Sequence, residues 1–401
     1  MDQDFWCEVN PQAADARSRG LLRPQPGDLP DLLGGWCGPR PLRISGGGTS
    51  SRAAATGQWT LDLRGSFKQI VWNPDDQTVR FGAGCRMGEV LEALLPHART
   101  IPAGLSGRPG SGYVLTGGMG PLSRRLGLAV DQVLAFSGVW GGGQPFALSR
   151  DLNQGMAEWR GLCGAAPFLG VVSELVLTTH PLEPLWIERS GGGPDQLVDR
   201  MAAAEAADSD RSLQWHWGAD AELQFLWVSG AEQQGLERID GLHQLPSLAP
   251  SPPGSPRLHG EVVGLLGGAG AEKWRPLLAG LQTLMAQRPH AGCNVACQQL
   301  GGATSRIPVE TTSFVHRDAV WKPWITAVWP AGDLDARQKS LAWLEQVWQL
   351  LNPVCPGVHL AQIHDHLPFH HQELEQAFGA WLPRLRSLKA RLDPEGNLPT
   401  L

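Results

Sequence analysis

The run from Ala103 to Gly120, AGLSGRPGSGYVLTGGMG, constrains this chain more than any other stretch. It carries Gly104, Gly107, Gly110, Gly112, Gly117, Gly118 and Gly120, with Ser106, Ser111 and Thr116 between them. Glycine in regular structure costs roughly 0.5–1 kcal/mol relative to alanine, so a run this dense needs a compensating role. Close packing of a flat ligand on bare backbone supplies one. A mobile lid is the alternative, and the apolar residues that punctuate the run fit it less well.

Two further stretches have the same character. Arg43-Ile44-Ser45-Gly46-Gly47-Gly48-Thr49-Ser50 follows a short apolar strand directly. Consecutive glycines let several N–H groups converge on one anion and remove the Cβ atoms that would block it. Thr49 and Ser50 add hydroxyl donors. The loop has no lysine, so it is not a nucleoside-triphosphate P-loop, and it lacks the G-x-G-x-x-G spacing of a dinucleotide turn. A purely structural glycine turn stays open as the other reading. Trp159–Phe168, with Gly161 and Gly164, leads into a strand at Val171, and its small residues again permit a close backbone contact.

From Leu21 to Thr179 the chain reads as short strands, turns and a few helices. Strands are expected at Leu21–Arg23, Leu42–Ser45, Trp59–Leu63, Gln69–Trp72, Thr78–Phe81, Gln132–Phe136 and Val171–Thr178. Helices are expected at Asp28–Leu33 and Met87–Leu95, the latter with Met87, Val90, Leu91, Leu94 and Leu95 on one face. Beyond Pro181, tryptophan-rich strands (Leu213–Trp217, Leu223–Val228) alternate with helical runs at Gln196–Ala206, Trp274–Met285 and Ala336–Leu351, the pattern of a sheet covered by helices. Pro246–Pro256 reads as a low-complexity excursion, and Gln372–Leu392 as a final amphipathic helix.

At 401 residues two domains are the natural division. A net charge of −6 gives no basic footprint, which argues against nucleic acid as a partner. The seven cysteines are scattered, and Cys293 and Cys297 lack zinc-site spacing, so no metal is expected and buried free thiols in a reducing compartment are. The first ten residues have neither a basic nor an apolar segment, and no run approaches the ~20 apolar residues that span a bilayer. A cytoplasmic protein acting on a small molecule, in an oligomeric state the sequence leaves open, is the expectation.

Taken in order, LLRPQPGDLPDLL, RISGGGTSS, LDLRGSFKQIVWNPDDQTVRFGAGCRMGEVLEALLP, TIPAG, TGGMGPLSRRLGLAVDQVL, FALSRD and FLGVVSELVLTTHPL resemble the FAD-binding domain of the vanillyl-alcohol oxidase / p-cresol methylhydroxylase (PCMH-type) superfamily, in its berberine-bridge-enzyme-like branch. The resemblance spans about Leu21 to Leu182 and resumes in the tail AWLPRLRSLKARLDPEGNL. It implies an α+β protein: a two-part PCMH-type FAD-binding domain (1–182 and 363–401) interrupted by an α+β substrate domain (183–362) with an antiparallel sheet and helices. It further implies that Ser45, Gly46, Gly47, Gly48, Thr49 and Ser50 wrap the FAD pyrophosphate. Ser106, Gly107, Gly110, Ser111, Gly112, Gly117 and Gly118 would pass the isoalloxazine ring and ribityl chain. Gly164 and Val171 would lie near the adenine and ribose.

The chain departs from the family at three places. Gly48 and Ser106 stand where many relatives carry a histidine and a cysteine bonded to the flavin, so the FAD is expected to be non-covalent. The Tyr-x-Asn signature before the final helix is replaced by Gln362-Ile363-His364-Asp365-His366, and the only tyrosine is Tyr113. A hydride leaves for the flavin when a base takes the substrate's proton. His364 or His366 fills that role in one reading, with Asp365 as electrostatic partner; in the other they are surface histidines beside His370 and His371. Trp215, Trp217 and Trp227 either line a flat pocket or belong to the core, with His216 on the opposite face from Trp215 and Trp217. Two functions follow: an FAD-dependent oxidoreductase acting on a small hydroxylated or amine-bearing substrate, or an FAD-binding protein that has lost that chemistry and serves as chaperone, subunit or sensor.

Overall fold

A computed structural model describes residues 18–50, 53, 55–218, 223–246 and 258–401. The proline-rich excursion therefore lies, after Pro246, outside the described residues.

Three short strands form a parallel sheet in the order Gly20–Leu22, Trp59–Asp62, Arg43–Ser45. Beside them a five-stranded antiparallel sheet runs Ile70–Asn73, Thr78–Gly82, Gly170–Thr178, Val133–Trp140, Pro145–Ser149. Alternation drives these strands: Val79 and Phe81 are fully buried while Arg80 between them is exposed. The helix Met87–Leu94 buries Met87, Val90, Leu91 and Leu94, the face its spacing predicts, and Leu95 opens a separate turn.

The second half is dominated by one antiparallel sheet of eight strands. Its order is Glu237–Ile239, Leu185–Gly192, Leu223–Ser229, Arg211–Trp217, Asn294–Gln299, Trp321–Pro330, Leu258–Leu266, Gly357–His359. The sheet has two distinct faces. Trp215, Trp217 and Trp227 share one, in register with Leu223, Phe225 and Leu213. All three are buried, and Trp215 packs edge-on against Trp274 at 6.4 Å, so the tryptophans belong to the core and Trp227 reaches only a shallow pocket beside Arg200. The other face carries Ser212, Gln214 and His216. It meets the turn that follows the glycine run, for the Ser212 hydroxyl donates to the Pro121 carbonyl at 2.8 Å.

Two helical expectations need correction. The terminal helix is two, His370–Phe378 and Leu382–Leu392. Gly379, at φ +48°, ends the first, and Pro383 opens the second, where its missing N–H is harmless. Trp159–Phe168, read as a small-residue stretch, lies within the helix Ala157–Leu169, which is interrupted at Cys163–Ala165 by Gly164 at φ +124°. The interruption frees the Cys163 carbonyl, which accepts from the Ser313 N–H at 2.8 Å.

The tail is built into the N-terminal part. The Asn397 side-chain amide donates to the carbonyls of Leu33 and Gly141, each at 2.9 Å, and the Leu42 N–H donates to the Asn397 carbonyl at 2.8 Å. Of the cysteines, Cys85, Cys163, Cys293, Cys297 and Cys355 are buried and unpaired, while Cys37 is exposed. Among the described residues no helix is long and apolar enough to cross a membrane.

Candidate active site

The three glycine stretches converge on one cleft of about 330 Å³. Gly46, Gly47, Gly48, Thr49 and Ser50 line it from the first loop; Gly110, Ser111, Gly112, Tyr113 and Thr116 from the second; Pro167, Gly170, Val171 and Val172 from the third. Val262, His359, Ala361 and Gln362 close it from the edge of the eight-stranded sheet.

The loops press on one another backbone to backbone. A Cβ on Gly47 would fall 2.5 Å from the Gly110 Cα, and one on Gly110 would fall 2.1 Å from the Gly47 nitrogen. That contact requires glycine on both sides, whatever the ligand. Gly48 is the loop's left-handed residue, at φ +77°, with Arg64 behind it. The Ser111 hydroxyl donates to the Ala83 carbonyl at 2.7 Å and so holds the second loop in place. Among the described residues no acceptor meets the N–H groups of Gly46, Gly47, Gly48 or Thr49. A row of undedicated donors following a strand is what an anion requires.

Several of the expected cofactor residues do not line the cleft. Ser45 is buried in the parallel sheet, and Ser106 is exposed. Gly107 packs on Gly88, where a Cβ would come within 2.6 Å of the Gly88 Cα. Gly117 and Gly118, at φ +131° and +76°, shape the turn beneath Tyr113, and Gly164 lets the backbone at Phe314 approach. These glycines position the cleft without touching it.

The three catalytic candidates also lie off the cleft. The chain turns after Gln362 instead of running on as a strand, which carries the next residues into a buried charge cluster. His364 is 1% exposed, its Nδ1 2.7 Å from Glu373 Oε1 and its Nε2 3.5 Å from Glu261 Oε2. His366 reaches the other oxygen of Glu261 at 2.9 Å. Asp365 pairs with Arg43 at 2.6 Å, so the partner of His364 is Glu373 rather than Asp365. Burial disfavours a charged His364, but the carboxylates of Glu373 and Glu261 outweigh it and push its pKa up to about 10. Both ring nitrogens of His364 thus face carboxylates, and the side chain does not line the cleft.

The sequence reading missed His359, which lines the cleft from the last strand of the sheet, and Gln362 as a lining residue. His359 has no motif around it; only the pairing of Gly357–His359 with Leu258–Leu266 brings it to this edge. Tyr113 was visible inside the glycine run, and its buried hydroxyl meets no partner among the described residues.

The residues fit FAD on these observations. The free N–H row suits a pyrophosphate, and the glycine walls with Leu115, Pro167 and Tyr113 suit flat rings. Comparison with known proteins agrees. Residues 38–149 match the FAD binding domain family. An uncharacterized FAD-linked oxidoreductase of Bacillus subtilis is 22% identical over 392 residues, covering 88% of this chain and 83% of that protein. The aclacinomycin-N/aclacinomycin-A oxidase of Streptomyces galilaeus is 23% identical, covering 82% of this chain and 73% of that protein. Berberine bridge enzyme from Eschscholzia californica superposes with a TM-score of 0.81 over 99% of this chain and 93% of its own, at 16% identity. A chitooligosaccharide oxidase does so at 0.82 over 98% and 94%, also at 16% identity. The match to the FAD binding domain family thus covers residues 38–149, and the chain has the α+β architecture expected. Its fold is that of berberine bridge enzyme and chitooligosaccharide oxidase.

Proposed function

We propose that the protein is an FAD-dependent oxidoreductase that takes a hydride from a small hydroxylated or amine-bearing organic substrate onto a non-covalently held flavin. The observation that carries this reading is the single cleft in which an unsatisfied N–H row at Gly46–Thr49 faces ionisable groups, His359 and Tyr113, across glycine walls. FAD supplies the two-electron acceptor. This chain's residues hold its phosphates on backbone donors, wall its rings with bare backbone, and roof the cleft with the large sheet. Residues 1–182 and 363–401 act as the flavin-holding part and 183–362 as the substrate part. Gly48 and Ser106 offer no nucleophile for a flavin bond, and the buried unpaired thiols suit a reducing, cytoplasmic setting.

The sequestered histidines favour a second reading, FAD binding without redox chemistry. One experiment separates the two. The purified protein should show flavin absorbance, and anaerobic addition of a panel of primary, secondary, aromatic and sugar alcohols and of amines should bleach it with at least one member. Flavin absorbance that no member bleaches would support the second reading. A protein that binds no flavin would sink both.

A further inference from the structure

With His364 and His366 committed to carboxylates, the site still needs a proton acceptor. The flavin-facing side of the sheet carries one. His359 is in register with Gly264, and Gly264 in turn with Trp324, so these three residues form one row across adjacent strands. A Cβ built on Gly264 would stand 3.2 Å from the His359 carbonyl oxygen, 3.4 Å from its Cβ and 3.7 Å from its Nδ1, so the glycine lets the two backbones close tightly and keeps the neighbourhood of Nδ1 free of a second side chain. His359 itself lines the cleft.

The His359 ring is oriented from the flavin side. Its Nε2 lies 3.1 Å from the Thr116 carbonyl oxygen, at the end of the glycine run. A carbonyl only accepts, so Nε2 carries the proton and Nδ1 is a bare lone pair. His359 is 7% exposed, and Nδ1 meets no partner among the described residues. An unsatisfied acceptor at such depth is unfavourable, and a ligand hydrogen bond would relieve it.

We propose that His359 is the catalytic base of this site, its Nδ1 accepting the proton of a hydroxyl or amine seated in the cleft that His359 lines. The inference rests on the oxidoreductase reading above. As the substrate carbon gives its hydride to the flavin, the O–H or N–H proton passes to Nδ1 and the C=O or C=N bond forms. Bound FAD would supply the acceptor for the two electrons. The imidazolium then releases its proton, restoring the Nε2–H tautomer that Thr116 selects.

Lys322 is the positioning charge. It is 9% exposed, its Nζ lies 4.9 Å from the Trp324 ring, and no carboxylate faces it among the described residues. Burial lowers its pKa to about 8, with Cys297 opposing. His359 itself is held well below the ordinary histidine range by burial, then by Lys322 and, more weakly, His316, with the Thr116 carbonyl opposing. His359 is therefore neutral, and competent to accept, throughout the physiological range.

The test uses the FAD-loaded full chain. In ¹⁵N-histidine NMR spectra, the signal lost in His359→Gln should report a neutral Nε2–H ring from pH 6 to 8; an Nδ1–H tautomer or an imidazolium overturns the proposal. With an alcohol or amine that bleaches the wild-type flavin, His359→Gln should slow anaerobic bleaching by about 10²–10⁴-fold, the usual worth of a positioned base, while retaining flavin. Lys322→Met should move the acid limb of the pH–rate profile to higher pH, because removing a neighbouring cation raises the pKa of His359. A merely structural lysine would leave that limb in place. Bleaching by His359→Gln at the wild-type rate overturns this assignment alone. If nothing bleaches the wild-type flavin, the oxidoreductase reading fails and the assignment with it.

Discussion

The Nδ1 of His364 lies 2.7 Å from the Oε1 of Glu373, and each of these side chains is 1% exposed. Glu261 closes the cluster from the sheet, and burial of its carboxylate is outweighed by His364 and His366, which hold its pKa far below the ordinary range. The arrangement joins strand Leu258–Leu266 to helix His370–Phe378 through an ion cluster that is buried except at His366. It is a structural clasp where the segment between the large sheet and the C-terminal helices turns.

His364→Gln should therefore destabilise the fold and leave the chemistry alone. Breaking a buried pair by removing one partner costs roughly 3–5 kcal/mol, because the orphaned carboxylates stay buried. The sign of the pH dependence follows from the raised pKa. The stabilisation from His364 is complete below its unfolded pKa of about 6.5 and is lost as pH rises through about 10. Glu261 and Glu373 have lowered pKa values, so their share is lost as pH falls below the ordinary glutamate range. Urea melts of wild type and variant should differ most near pH 6 and converge above pH 10. A gap that persists undiminished at pH 10.5 would show that packing, not charge, sets it.

The Arg43–Asp365 pair couples that clasp to the cofactor loop. Arg43 sits in the strand that ends at Ser45, directly before the N–H row, and the two side chains are 2% and 10% exposed. Asp365→Asn should weaken FAD binding about 10-fold or more, since a few kcal/mol from a buried pair would be felt at the loop's root. Isothermal titration of the apoprotein with FAD reads this directly. Unchanged affinity would show that the loop is held by its glycine contacts alone.

Those contacts give a prediction that differs from a purely ligand-based one. From the sequence, a valine at Gly47 is expected to block a phosphate in a chain that otherwise folds. In the structure the first obstacle is Gly110, 2.5 Å from the new Cβ. Gly47→Val should lower the melting temperature of the apoprotein as well as abolish flavin binding. Gly48→Ala meets Arg64 only at 3.2 Å but forces alanine to φ +77°, a penalty of about 1–2 kcal/mol. It should bind FAD more weakly with a smaller loss of stability. Equal apoprotein melting for Gly47→Val and wild type would remove the back-to-back packing from the argument.

The sequence was most legible where one face of an element meets solvent. Thr78–Gly82 and Met87–Leu94 carry clear periods of two and 3.6 residues because Arg80 and Glu92 mark the exposed side. Trp321–Pro330 is buried along both faces for much of its length, so its hydropathy shows no alternation and the strand is missed. The cleft-lining glycines were legible because bare backbone leaves a compositional trace. His359 left none: its place at the cleft comes from register with Gly264 across a strand that was itself not read. His364 misled because position along the chain located it near the resembling family's signature, while a turn after Gln362, Glu373 on the next helix and Glu261 far back in the chain decided where its side chain went.

Acid precipitation should release all of the yellow colour into the supernatant and leave a polypeptide of the unmodified mass, 43.2 kDa. Gly48 carries no side chain to bond the flavin, and Ser106 is exposed and away from the cleft, so neither position offers a linkage. Two nucleophilic side chains do line the cleft. Tyr113 is held as a neutral phenol, because burial drives its pKa far above the ordinary range. His359 has a bare Nδ1, but it lies on the sheet side, with its ring fixed by Thr116. Flavin remaining in the pellet would sink the non-covalent assignment. Peptide mapping would then place the bond on His359 or Tyr113, and a bond at His359 would also exclude it as the base.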